Sequence, residues 1–328
     1  MLNRLSPFCS FLSSAVARAI LLLALATTLG ALPTTVHAQD IFVARQTGNN
    51  SIGEYNASTG ATINATLVTG LSTPFGIALS GADLFVVNEI SNTIGEYNAS
   101  TGVAINATLV SGLSSPKGIF VSGSDLFVAS SSTGKIGEYN ASTGAIINDT
   151  LVSGLTDPNG VFLSGSDLFV ANAGANEVGV YDATTGVAIN ATLITGVIDP
   201  TGIFLSGSDL YVVAAAGSVG EYNATTGVAI NATLVSGLGP SRGVQVVGSD
   251  LFVSINSGKI GEYNATTGAT INATLVSGLG ATGDLAVGTP VPEPSTWALL
   301  AGAAAVLPVL WRHRRRADRP ASPRPDTA

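Results

Sequence analysis

The chain has 328 residues, a formal net charge of −8, 10% charged residues, 39 glycines, two histidines and one cysteine. One cysteine excludes a disulfide scaffold, and two histidines leave little room for histidine catalysis or a zinc centre. The acidic excess disfavours nucleic acid, whose phosphates would be repelled.

The chain begins with a targeting pattern. Arg4 and Arg18 accompany an apolar core over 19–32, and Val36-His37-Ala38 offers a small-residue cleavage site before Gln39. These features predict a secretory signal peptide over 1–38. The alternative is a retained membrane helix, for which the core is short against a span of about 20 residues. Cys9 lies upstream of the core and leaves with it, so the exported chain carries no thiol.

From Asp40 onward one phrase repeats. It restarts at Asp83, Asp125, Asp167, Asp209 and Asp250, at spacings of 43, 42, 42, 42 and 41. A strand-rich period of about 40–45 residues points to propeller blades. In the clearest copy, Asp125-Leu126-Phe127-Val128-Ala129 is a short apolar β-former run. Lys135-Ile136-Gly137-Glu138-Tyr139 is the second, and Asn140-Ala141-Ser142-Thr143-Gly144 is a turn ending in the residue that takes positive φ cheaply. A third strand covers 145–152, Pro158 opens a turn, and Gly160-Val161-Phe162-Leu163 is the fourth. No segment has helical periodicity. The expected fold is all-β: a six-bladed propeller of four-stranded antiparallel blades over 39–288.

The chain starts on one strand of the repeat and ends on another. Segment 41–44 is therefore expected to pair with 285–287, so that the N- and C-terminal strands share one blade and leave no open edge.

The fragments Pro116-Lys117-Gly118-Ile119-Phe120-Val121, Asp167-Leu168-Phe169-Val170-Ala171-Asn172 and Val178-Gly179-Val180-Tyr181-Asp182 resemble NHL-type repeats. That resemblance implies that the Pro-x-Gly strand is innermost, at 76–79, 118–121, 160–163, 202–205, 243–246 and 284–287. The fifth copy shifts its proline to Pro240 and the sixth has none.

With the blade strands lettered A (inner) to D (outer), the A–B and C–D turns are nearly constant between copies. The variation collects in the B–C and D–A loops at the other end. Binding residues belong on loops held by a rigid frame. The candidate binding face is Arg45, Phe75, Asn88, Glu89, Lys117, Asp157, Asn159, Asn172, Asp199 and Arg242, with surface drift of loops as the plainer explanation.

Catalytic patterns are scarce. Both histidines, His37 and His313, lie outside 39–288, and no nucleophile elbow, phosphate loop or zinc spacing occurs. No catalytic residue, metal ligand or cofactor is assigned, with Ca²⁺ the one ion left open. The alternative function is a metal-dependent lactonase or lyase of the six-bladed type, for which Asn88, Asn172, Asp157 and Asp199 are the available residues. Over 40–288 the chain holds eighteen acids against five bases, a net −13. Glu54, Glu96, Glu138, Glu221 and Glu262 recur on strand C where the fourth copy has Val180. They are expected between blades, accepting hydrogen bonds from Thr, Tyr or backbone, or else forming weak cation sites. The recurrent Asn-x-Ser/Thr triplets are expected to be turn-forming Asn and strand Thr.

The tail has three parts in order. Val291-Pro292-Glu293-Pro294 precedes an apolar run bracketed by Trp297 and Trp311, then Arg312, Arg314, Arg315 and Arg316. Interface tryptophans and a cytoplasmic arginine cluster suit a short transmembrane helix. The tail closely resembles the PEP-CTERM sorting signal of Gram-negative bacteria, placed over 289–317, although the polar extension 318–328 is unusual for it. A plain tail anchor is the alternative. The resemblance implies an exosortase-type processing enzyme as partner, a transient inner-membrane anchor, and final delivery to the cell envelope, surface or exterior. The expected function is thus a non-catalytic propeller for binding or structural interactions, with an extracellular polysaccharide or envelope protein as partner and no nucleic acid.

Overall fold

A computed structural model of the chain describes residues 39–288 apart from Asn49. The signal peptide, the sorting tail with its membrane segment, and the polar extension fall outside these residues. No helix among the described residues is long and apolar enough to cross a membrane.

The six repeats form six four-stranded antiparallel sheets. Blade 1 is composite: Thr282–Gly288 lies innermost, followed by Asp40–Arg45, Ser51–Asn56 and Thr62–Val68. Its register pairs Ile41 with Val287, Phe42 with Ala286 and Val43 with Leu285, which closes the ring as the permuted repeat predicts. Blades 2 to 6 each run A to D in chain order, with A strands Pro74–Ser80, Pro116–Ser122, Pro158–Ser164, Pro200–Ser206 and Ser241–Val247.

Burial explains the composition of each strand. Strand B of blade 2, Asp83–Asn88, is buried after its first residue, because neighbouring blades cover both its faces; it is therefore continuously apolar rather than alternating. Each interblade layer draws on two blades. One joins Phe42, Ala44 and Ile52 of blade 1 to Ile77, Leu84, Val86 and Tyr97 of blade 2.

Glycine sets the spacing at the centre. A methyl on Gly76, Gly118, Gly160 or Gly202 would collide with the carbonyl of Lys117, Asn159, Thr201 or Arg242 on the next blade. Gly283 meets the Phe75 carbonyl, whereas Gly243 faces the Asp284 side chain instead.

The seam between blades 6 and 1 is stitched by polar side chains. The Ser254 hydroxyl accepts from the Gly243 N–H at 2.8 Å and donates to the Gly283 carbonyl at 2.7 Å. The Thr282 hydroxyl donates to the Ile255 carbonyl at 3.0 Å, and the Gln245 amide exchanges two bonds with the Val287 backbone. Across the same join the Ala281 N–H donates to the Thr47 hydroxyl at 2.7 Å.

Two features depart from the expectation of strands and turns alone. Single 3₁₀ turns, Ser131–Thr133 and Ala173–Ala175, occupy B–C loops and are closed by Gly134 and Asn176 in the left-handed region. The strand-D Asn-x-Thr triplets are more than β-formers. In all six blades the Asn carbonyl accepts the N–H of the Thr two residues on, as in Asn64–Thr66 at 3.1 Å and Asn106–Thr108 at 3.2 Å. An outer strand has no partner beyond it, so these side chains occupy donors that another strand would otherwise pair with. The turn triplets behave as expected: Asn98 accepts from the N–H groups of Ser100 and Thr101 and from the Thr101 hydroxyl.

The mouth of the central channel as candidate functional site

The A strands surround a central channel of about 910 Å³, its open mouths included. At the D–A end, each A strand places one residue after its first on the rim. On blades 2 to 6 these residues are Phe75, Lys117, Asn159, Thr201 and Arg242, no two alike, and Gly283 holds the equivalent register in blade 1. The repeats thus differ from one another at this rim position.

The rim has an internal order. The Lys117 ammonium pairs with Asp157 at 2.7 Å, the one ion pair among the described residues. Asp157 holds φ 50 just before Pro158, which aims it from the loop toward blade 3. The Arg242 guanidinium lies 4.9 Å over the Phe75 ring, a cation–π contact. Blade 1 stands between them, and Gly283, having no side chain, leaves the way across open. Asn159 and Thr201 are buried, and the Thr201 hydroxyl donates to the Ser241 carbonyl at 3.1 Å.

Below the rim sits Asp284, in the position that five other repeats give to glycine. Thr282 stands where the other repeats have Pro or Ser241, so Gly283 takes the rim and Asp284 the glycine place. Its Oδ1 accepts the Leu285 N–H at 2.8 Å. The carboxylate is partly exposed to the channel but closely surrounded by protein, and that burial lifts its pKa to about 7. Two residues deeper, about 6–7 Å along the strand, the lining is Ala78, Phe120, Phe162, Phe204, Gln245 and Ala286. The three phenylalanines touch in series, with ring centroids 4.6 Å and 5.2 Å apart.

Of the ten residues expected on the binding face, Phe75, Lys117, Asn159 and Arg242 line the channel, and Asp157 joins them through Lys117. The other five do not converge there. Arg45 clamps the Leu279 and Ala65 carbonyls. Asn88 accepts the Ser72 N–H at 2.9 Å, and Asn172 accepts the Thr156 N–H at 2.8 Å while donating to Glu177. Both therefore fasten a D–A loop to the end of strand B. The backbone N–H of Glu89 bonds to Thr73, and Asp199 is an exposed loop residue at φ 50. None of the four residues considered for a lactonase lines the channel. Thr201, Asp284, Gln245 and the phenylalanine trio were missed, although aligning the repeats on strand A would have shown them as the positions that vary.

The strand-C glutamates lie between blades as expected, but they are poorly bonded. Among the described residues only Glu221 meets a donor, the Tyr211 hydroxyl at 3.5 Å, which also reaches the Ala265 carbonyl. Burial raises the pKa of all five, helped by the aspartate opening strand B of the same blade; Glu54 reaches about 7. Among the described residues no group of three or more His, Cys, Asp or Glu is placed to hold a metal.

Residues 290–316 match the family model of the PEP-CTERM protein-sorting motif. The chain carries that sorting signal. The PEP-CTERM motif marks it as an exported protein, membrane-anchored during sorting, processed by an exosortase, then released to the envelope or surface. No curated protein matches the chain in sequence. Among solved structures it is similar to a chain of a nidogen/laminin complex, at 14% identity, TM-score 0.63, covering 77% of this chain and 99% of that one. At that identity the likeness shows the propeller fold alone. The computationally designed proteins Ika8 (15% identity, TM-score 0.46, 67% of each chain) and Ika4 (14%, 0.40, 49% of this chain and 99% of that one) also match.

Proposed function

We propose that the exported propeller is a non-catalytic binding module. It works at the cell surface or in the extracellular matrix and engages an extracellular polysaccharide or an envelope protein through the D–A end. The carrying observation is the rim of five unlike side chains, Phe75, Lys117, Asn159, Thr201 and Arg242, at the mouth of the channel. The neighbouring glycines already set the blade spacing, which leaves the rim residues free to differ. The differences therefore serve what approaches the channel. Convergent polar and aromatic groups over a concavity are the general form of a ligand site.

The test is retention of the exported protein on immobilised envelope polysaccharide and on envelope-protein fractions, before and after Phe75→Ala and Arg242→Ala. Loss of retention with these rim substitutions supports the reading. Retention that survives them but falls with changes at the A–B end, or turnover of lactone, ester or glycoside substrates, overturns it.

A further inference from the structure

Asp284 is the one carboxylate lining the channel, and it replaces a glycine that five repeats keep. Apart from the Leu285 N–H, nothing donates to it, and no cation pairs with it among the described residues. Lys117 is occupied by Asp157, and Arg242 is turned over Phe75. A buried carboxylate without a counter-charge is costly, and a repeat protein with glycine as its default had an easy way to avoid it.

What faces Asp284 is apolar. It stands on blade 1, and in a closed ring of six the blade opposite is blade 4, which carries Phe162. Phe120 and Phe204, on blades 3 and 5, flank that ring and extend it into a wall of three touching aromatics. On Asp284's own side the deeper lining is Ala78, Ala286 and Gln245, whose amide is tied to the Val287 backbone. The channel therefore presents one negative group at its mouth and an aromatic wall one step below and across.

We infer that the channel binds a small organic ammonium ion, its charged nitrogen against the Asp284 carboxylate and its apolar body against Phe120, Phe162 and Phe204. The inference rests on the D–A end being the binding end. Aromatic faces add cation–π attraction to the ion pair, and a desolvated pocket strengthens both. Burial raises the Asp284 carboxyl to about 7, and a bound ammonium would supply the counter-charge that favours its ionised form. The net −13 of residues 40–288 concentrates cations around the domain and steers them toward its clefts.

Calorimetric titration of the exported protein with phenethylammonium, phenylacetate and Ca²⁺ tests this. The expected result is binding of phenethylammonium, weakened about tenfold or more by Asp284→Asn and by Asp284→Gly. The glycine variant restores the residue of the other repeats, so the blade keeps its fold. Phe162→Ala weakens binding severalfold. Binding of phenylacetate that depends on Arg242 overturns the ammonium assignment while leaving the D–A end as the binding end. Calcium binding that depends on Asp284 and excludes phenethylammonium replaces it with a metal site. No binding of any probe makes Asp284 a purely structural residue and overturns the inference, while the rim's role is decided separately by the polysaccharide and envelope-protein retention.

Discussion

Asp284 packs its carboxylate against the bare Cα of Gly243. A methyl on Gly243 would fall on Asp284 Oδ1, so the glycine of blade 6 makes room for the one side chain that breaks the ring of glycines. The pair predicts strong coupling. Gly243→Ala should destabilise by about 1–3 kcal/mol through overpacking. Combined with Asp284→Gly, most of that loss should vanish, leaving a non-additive cycle. Chemical denaturation of the four proteins measures it; additive changes would mean that the carboxylate does not fill this space.

The interblade glutamates predict a pH dependence. Their folded pKa values lie above the ordinary 4.5, to about 7 for Glu54, and Asp284 rises from 3.8 to about 7. Well below their unfolded values of 4.5 and 3.8 these groups are neutral folded and unfolded, and they cost nothing. As pH rises toward 7 the unfolded chain ionises first, so stability falls, and the full penalty stands above about pH 7. The melting temperature should therefore be higher at pH 5 than at pH 8. Replacing Glu54, Glu96 and Glu262 by Gln should flatten the slope, and a slope unchanged in that variant would remove these groups as its source.

Ser254 predicts how the ring is held shut. It sits where blades 3 and 4 carry Ala129 and Ala171, and it bonds to both Gly243 and Gly283 at the seam. Ser254→Ala should cost about 1–3 kcal/mol, the usual penalty for buried groups left unpaired. Deleting 284–288 should do more, exposing two sheet edges and promoting aggregation. Thermal melts and light scattering distinguish the two effects.

Sorting predicts two cleavages. The exported form should begin near Gln39 and end near the Val291-Pro292-Glu293-Pro294 segment. Intact-mass spectrometry of the envelope fraction reads both ends, and a stably inserted protein retaining Arg312 to Arg316 would identify a plain anchor instead.

Much of the fold was legible in the chain because its signals are local. The 41–43-residue spacing, the Gly-closed turns and the apolar B strands each act within one repeat, and the permuted ends dictate the shared blade. The sorting tail was equally legible, being a contiguous string. The decorated end was also visible, since Phe75, Lys117, Asn159 and Arg242 differ against a constant frame. Asn88 and Asn172 were misleading for the same reason: a loop-end amide that ties down backbone varies between copies just as a ligand contact does.

Only the tertiary structure decided which varying residues meet. Asp284 and Phe162 are far apart in the chain and lie on opposite sides of one channel, an adjacency created by ring closure alone. The level of each side chain depends on the bulge between Pro74 and Ile77 and its equivalents, with Thr282 standing in for proline in blade 1. That register moves Gly283 onto the rim and Asp284 into a glycine's place. A sequence records the order of residues along each strand; the enclosure that leaves a carboxylate without a counter-charge arises only when six inner strands pack around a common axis.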